Sequence, residues 1–135
     1  MSLKLIVVAF VALILAFAAG WLVGSSGRAA LQRDVDRGLL RAEFAEARAD
    51  TLDGRVNASA SNFGNAVERF QRARDRVGSV EARLRAIGQG PQANRLEEAV
   101  RLLRQAQEAA AALDQSRAES AASAAFDALN AADGH

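Results

Sequence analysis

Four carboxylates, Glu43, Glu46, Asp50 and Asp53, recur three and four residues apart among Arg41, Arg48 and Arg55, a dense cluster of ionisable groups. Two such carboxylates can divide acid and base work when their surroundings push their pKa values apart. Helical spacing with arginines between them instead predicts solvated ion pairs along one helix. The only histidine is His135, the last residue, and a lone imidazole lacks the companions a metal site needs. There is no cysteine, so no thiol nucleophile and no disulfide framework. Ser25, Ser26, Ser59, Ser61 and Ser79 have no histidine arranged to activate them. Gly88 and Gly90 are not followed by the Lys-Ser/Thr of a phosphate loop and read as a turn. Asn57-Ala58-Ser59 matches a glycosylation sequon, but by chance, since it falls in a helical stretch. These residues predict a chain that is not an enzyme and has no catalytic, cofactor-binding or metal-binding residues.

Charge distribution is the remaining chemical signal. Formal net charge is +1, yet Arg69, Arg72, Arg74, Arg76, Arg83 and Arg85 against Asp75 and Glu81 leave that segment at +4. From Gln105 onward, Glu108, Asp114, Glu119, Asp127 and Asp133 against Arg117 give −4. An arginine tip of this kind can hold an acidic protein, a phosphate or nucleic acid, with Arg72, Arg74 and Arg85 as the contact residues. A hairpin would bring the acidic helix back beside the basic segment and neutralise it, so nucleic acid is not the expected partner.

Alanine, leucine, arginine and glutamate with a single proline, Pro91, imply an all-α chain. The stretch Leu31 to Ile87 carries a 4-3 seam without a slip: Leu31, Val35, Gly38, Ala42, Ala45, Ala49, Leu52, Val56, Ser59, Phe63, Ala66, Phe70, Ala73, Val77, Val80, Leu84 and Ile87. A strict 3.5-residue repeat predicts one long coiled-coil helix over 31–87, a rod of roughly 85 Å at about 1.5 Å per residue. Flanking charges favour a parallel homodimer, because Arg41, Arg48 and Arg76 would face Glu46, Asp53 and Glu81 of the partner helix. The pairing residues would be Leu52, Val56, Phe63, Phe70, Val77, Val80, Leu84 and Ile87.

Before the rod, a short tail (1–4) precedes nineteen uncharged residues over 5–23, about the length of a bilayer-crossing helix. Ala16-Phe17-Ala18 matches a signal-peptidase site, but the apolar run continues through Trp21 and Val23, so the stretch reads as an uncleaved single-pass anchor. Ala12, Ala16, Gly20 and Gly24 form a small-xxx-small ladder suited to pairing two such helices. Arg28, Arg33, Arg37 and Arg41 beyond the span place the body on the cytoplasmic side of a bacterial inner membrane. Residues 24–30, with Gly24-Ser25-Ser26-Gly27, read as a hinge.

Gly88 to Pro91 predicts a turn over 88–93, and Asn94 to Glu97 a capping-box start for a returning helix over 94–115. Its apolar face is Leu96, Val100, Leu103, Ala106, Ala110 and Leu113. Ser116 to Glu119 suggests a restart, leaving 116–135 as an alanine-rich helix or frayed tail with Ala122, Phe126 and Leu129 as anchors. Two such hairpins side by side would make a dimeric four-helix bundle at the distal end.

The whole predicts a non-enzymatic, membrane-anchored coiled-coil scaffold or tether that presents its distal bundle to a protein partner. An arginine-tip binder of nucleic acid or an anionic surface is the first alternative. The outline also resembles small single-anchor envelope proteins of bacteria, which implies a second: an exported envelope-spanning rod of the phage-lysis type.

Overall fold

Three connections of three residues each decide the architecture. The computed structural model describes residues 3–133, with the side chains of 3–9, 18–19 and 22–29 outside the described set. It has four helices, α1 (Leu3–Ser59), α2 (Phe63–Ala86), α3 (Gly90–Ala111) and α4 (Gln115–Asp133). Each connection closes with the same hydrogen bonds. Asn62, Gln89 and Asp114 donate their backbone N–H to the carbonyls of Asn57, Leu84 and Ala109 at 2.8, 2.8 and 2.9 Å. Ser61, Gly88 and Leu113 donate to Ala58, Arg85 and Ala110 at 3.0, 3.1 and 3.0 Å. This is the Schellman closure, which needs a left-handed residue in the middle; Ser61 has φ 59°, Gly88 φ 80° and Leu113 φ 59°. The carbonyls of Asn62, Gln89 and Asp114 already accept the first bond of the following helix, from Ala66, Ala93 and Ala118. One helix therefore ends and its successor begins within three residues.

The chain groups into two units, residues 1–39 and 40–135. In the first, side chains pair along the helix, with Arg37 on Asp34 and Gln32 on Asp36, both at 3.3 Å. Leu31 and Val35 are exposed. The second unit is an up-down-up-down bundle of the last turns of α1 with α2, α3 and α4. Gln115 Nε2 donates to the Ser59 carbonyl at 3.3 Å and Arg48 pairs with Asp133, so α4 lies antiparallel to the end of α1. Gln92 Nε2 donates to the Ala132 carbonyl at 3.0 Å, tying the start of α3 to the end of α4.

The core is built largely of alanine. Ala47, Ala58, Ala66, Ala73, Ala93, Ala99, Ala106, Ala109, Ala110, Ala118, Ala122, Ala125 and Ala132 are buried around Phe44, Phe70, Val77, Val80, Leu84, Leu96, Leu103 and Leu129. Small residues at facing positions let helix axes approach closely, and Gly54 takes this furthest. A Cβ there would stand 2.5 Å from Cε1 of Phe70, so the absence of a side chain at 54 is what admits that ring.

Several expectations are corrected. The single helix over 31–87 is two antiparallel helices, broken at Ala60-Ser61-Asn62. A heptad repeat reports which face is apolar but not whether the helix reverses, and this turn has neither glycine nor proline to announce it. The seam residues Phe70, Val77, Val80 and Leu84 are buried in the core of their own chain, where a homodimer was expected to cover them. Residues 24–30 carry helical backbone. Propagating a helix through a glycine costs only about 1 kcal/mol, because no new nucleus is required. The third helix begins at Gly90, with Pro91 in its opening turn, and the fourth is capped by Asp114, whose Oδ1 accepts the N–H of Arg117 at 3.0 Å.

The transmembrane anchor is corrected as well: among the described residues, no helix is long and apolar enough to cross a membrane. Of 5–23, the described side chains are 10–17, Gly20 and Trp21, half of the roughly 20 residues a crossing requires. The single-pass inner-membrane placement, the membrane as partner, the anchored tether and the anchored envelope rod all rested on that helix and fall with it.

Candidate functional site: an ion-pair ladder and two faces of one helix

Within 40–59, α1 carries two apolar stripes on different sides. Phe44, Ala47, Thr51, Gly54 and Ala58, spaced three, four, three and four apart, face the bundle and are buried. Thr51 satisfies its hydroxyl by donating to the Ala47 carbonyl at 2.7 Å. The heptad positions read from the sequence form the other stripe, Ala42, Ala45, Ala49, Leu52 and Val56, and all are exposed, Val56 by 65%. A period of 3.5 on each stripe accommodates both, since positions two residues apart lie on different faces of a helix.

Between these faces and α2 runs a ladder of opposite charges. Arg83 Nη2 meets Glu43 at 3.2 Å, and Arg76 meets Glu46 and, at 2.9 Å, Asp50. Arg69 Nη1 meets Asp50 at 3.1 Å and Asp53 at 3.4 Å. Asp50 is the buried centre, its side chain 10% exposed with one oxygen on each arginine. The opposite flank of α1 is tied to α4 by Arg48, which also lies 5.9 Å over the ring of Phe44. The four carboxylates singled out from the sequence are thus brought together as helix ion pairs, but with arginines of α2.

That ladder removes the charge argument for a parallel homodimer. Arg76 is engaged with α1 of its own chain, and Glu46 and Asp53 with α2. It also changes the account of the basic tip. Arg69, Arg76 and Arg83 are neutralised by α1, and the C-terminal acidic helix contributes Asp133 to Arg48 instead. The three expected contact arginines each have a carboxylate nearby: Arg72 with Glu68 at 3.5 Å, Arg74 with Asp75 at 3.8 Å, and Arg85 with Glu81 at 2.8 Å and Glu97 at 2.6 Å. The hydrogen bonds that Arg85 donates to Glu81 and then to Glu97 raise its pKa. A segment so compensated offers a polyanion little, and the arginine-tip alternative is withdrawn with the tether.

Other expected positions scatter. Ala12, Ala16 and Gly20 are exposed, while the surroundings of Gly24 and all of His135 lie outside the described residues. Phe63 is half-buried against the core and Ile87 is 55% exposed at the end of α2. No group of three or more potential ligands for a metal occurs among the described residues. A shallow groove of about 460 Å³ runs between α3 and α4, with Leu102, Gln105, Arg117 and Ser120 in its walls, and its Asp114 is already occupied as a helix cap. Sequence reasoning missed the inner stripe of α1, although its 3-4-3-4 spacing is as regular as the outer one. The chain matches no family model, no curated protein and no solved structure.

Proposed function

We propose that this chain is a non-enzymatic helical module that binds another protein through the outward face of α1 within residues 40–59. The observation that carries this reading is the exposed stripe Ala42, Ala45, Ala49, Leu52 and Val56, apolar on a helix whose other stripe already supplies the core. Its small residues suit close approach of an amphipathic helix, which seats anchors at i, i+3, i+4 and i+7 in such a surface. Arg41 and Arg55 are exposed beside it and, among the described residues, take part in no ion pair, which favours acidic residues on the flank of the incoming helix. The carboxylates whose residue type suits acid–base work lie against arginines, which supports the non-enzymatic half of the reading.

A photo-crosslinking side chain placed at Val56, and separately at Arg104 on α3 as a control, tests this in the cell of origin. The expected result is a discrete adduct with a second protein from position 56 alone, lost in a Leu52→Glu background whose melting temperature is unchanged. Equal crosslinking from both positions, or an adduct indifferent to Leu52→Glu, overturns it.

A further inference from the structure

We infer that Asp133 holds, on Arg48, the place of a carboxylate from the incoming helix, so that a partner with acidic residues at heptad spacing along one flank competes with the end of α4 for that arginine. The inference rests on the partner-binding reading above, and adds to it the order of the partner's charges and their coupling to α4.

Three observations carry it. First, Arg41, Arg48 and Arg55 stand seven residues apart. Seven residues are close to two helical turns, so the three line one flank of the stripe Ala42, Ala45, Ala49, Leu52 and Val56, where a paired helix presents its own flanking charges. Arg41 and Arg55 are exposed and, among the described residues, take part in no ion pair. The middle arginine differs. Arg48 keeps 23% of its side chain exposed and meets Asp133, 85 residues along the chain in the last turn of α4. Of a row of three arginines, only the centre is met by an acid, and that acid comes from another helix.

Second, Arg48 is only partly satisfied. Asp133 accepts from Nη2, while Nε is buried and, among the described residues, meets no acceptor. An unpaired buried donor costs stability, and arginine grips a carboxylate best through two parallel N–H···O bonds. A carboxylate that displaces Asp133 can take Nη2 and Nε together. The guanidinium also lies 5.9 Å over the ring of the buried Phe44, a contact that holds it at the edge of the outward face and does not depend on Asp133.

Third, the end of α4 is lightly held. Among the described residues, Arg48 with Asp133 is the one polar side-chain tie between α1 and this end of α4; Gln115 on the Ser59 carbonyl lies at the opposite end. Gln92 ties the Ala132 carbonyl to α3 at 3.0 Å, and Ala132 is the buried residue of the last turn. Displacing Asp133 therefore loosens that turn while Leu129 and Ala125 keep the rest of α4 on the core. Coupling of this kind is reciprocal: what frees the turn favours the partner, and the partner frees the turn.

The probe is a three-heptad synthetic helix with alanine and leucine at its a and d positions and glutamate at every position of one flank, together with a twin whose middle glutamate is glutamine. Titrating both into the full chain, wild type and Asp133→Asn, makes a double-mutant cycle. Asp133→Asn is expected to tighten the all-glutamate helix by about threefold to tenfold, the range of a partly exposed ion pair, and to leave the twin within about twofold. An equal change for both helices, or none for either, overturns the inference and leaves the outward-face reading standing.

A second measurement needs no substitution in the chain. Amide hydrogen exchange over 129–133 of the wild type is expected to quicken when the all-glutamate helix is bound and to stay unchanged with the twin; unchanged exchange with both overturns the inference. Absence of binding, or binding indifferent to Leu52→Glu, overturns the outward-face reading and the inference with it.

Discussion

Substituting Gly54 by alanine sets two effects of opposite sign against each other. Gly54 lies within α1, and in a helix interior alanine is favoured over glycine by about 1 kcal/mol. The new Cβ, however, would stand 2.5 Å from Cε1, 2.6 Å from Cδ1 and 3.0 Å from Cζ of Phe70. Phe70 is fully buried, and an aromatic ring has no flexible end to bend away, so either the ring leaves its rotamer or α1 and α2 separate. Overpacking of this kind costs about 1–3 kcal/mol. The steric effect wins, by a net of about 1 kcal/mol, and for a bundle near 100 residues that lowers the melting temperature by about 4–8 °C. Thermal melts followed by circular dichroism read this directly. In a Phe70→Leu background the clash is gone and Gly54→Ala should turn stabilising, so the double-mutant cycle should show a coupling of about 2 kcal/mol. If Gly54→Ala raises the melting temperature of the otherwise wild-type chain, the close approach of α2 to α1 is wrong.

Three further outcomes follow from the turns, the ladder and the surface. Leu113→Gly removes a left-handed strain of about 1–2 kcal/mol at an exposed site and gives part of it back through a freer unfolded chain, for a net stabilisation of about 0.5–1 kcal/mol, whereas Gly88→Ala should destabilise by about 1 kcal/mol; urea midpoints at constant slope decide both. Removing one partner of a buried ion pair costs about 3–5 kcal/mol, but Arg69 and Arg76 are more than a third exposed and keep Asp53 and Glu46, so Asp50→Ala should cost about 2 kcal/mol, measured by the same melts. The hydrogen bond from Arg101 holds the Glu98 carboxyl below the usual glutamate range. A depressed folded pKa means a stabilising contribution that is present above the unfolded pKa and disappears as pH falls through the folded one. Carboxyl chemical shifts should therefore place the Glu98 midpoint below that of the Arg101→Gln variant; coincident midpoints would show the pair to be absent in solution.

The all-α composition, and the apolar face of the segment 63–84, are plain in the sequence because the face repeats over six spacings and the core uses all of it. The turn at Gly88 carries its own signal, a glycine in the left-handed position with a proline three residues on. The turn at Ser61 carries none. Ala60-Ser61-Asn62 is acceptable inside a helix, the seam runs past it in register, and only the tertiary gain of packing α2 onto the inner stripe of α1 makes the chain reverse. Misreading that turn misassigned the arginines in consequence: Arg69, Arg76 and Arg83 sit at heptad flanking positions, which in a rod select a partner chain and in a hairpin select Glu43, Glu46, Asp50 and Asp53. The candidate site was legible as residues but not as a surface. Leu52 and Val56 stand out in the sequence as apolar positions of one stripe, yet which of two stripes faces outward depends on where the rest of the chain lies.

The alanine core has a calorimetric consequence. Heat capacity rises on unfolding in proportion to the apolar surface newly wetted, at about 0.45 cal/mol/K per Å², and a methyl group wets far less than a leucine or phenylalanine side chain. With alanine at most of its buried positions, this bundle should unfold with a heat-capacity increment below the usual 12–15 cal/mol/K per residue. Its stability curve is then shallow: the maximum is modest, the decline toward low temperature is slow, and the fold depends less on temperature than one whose helices are held apart by large side chains.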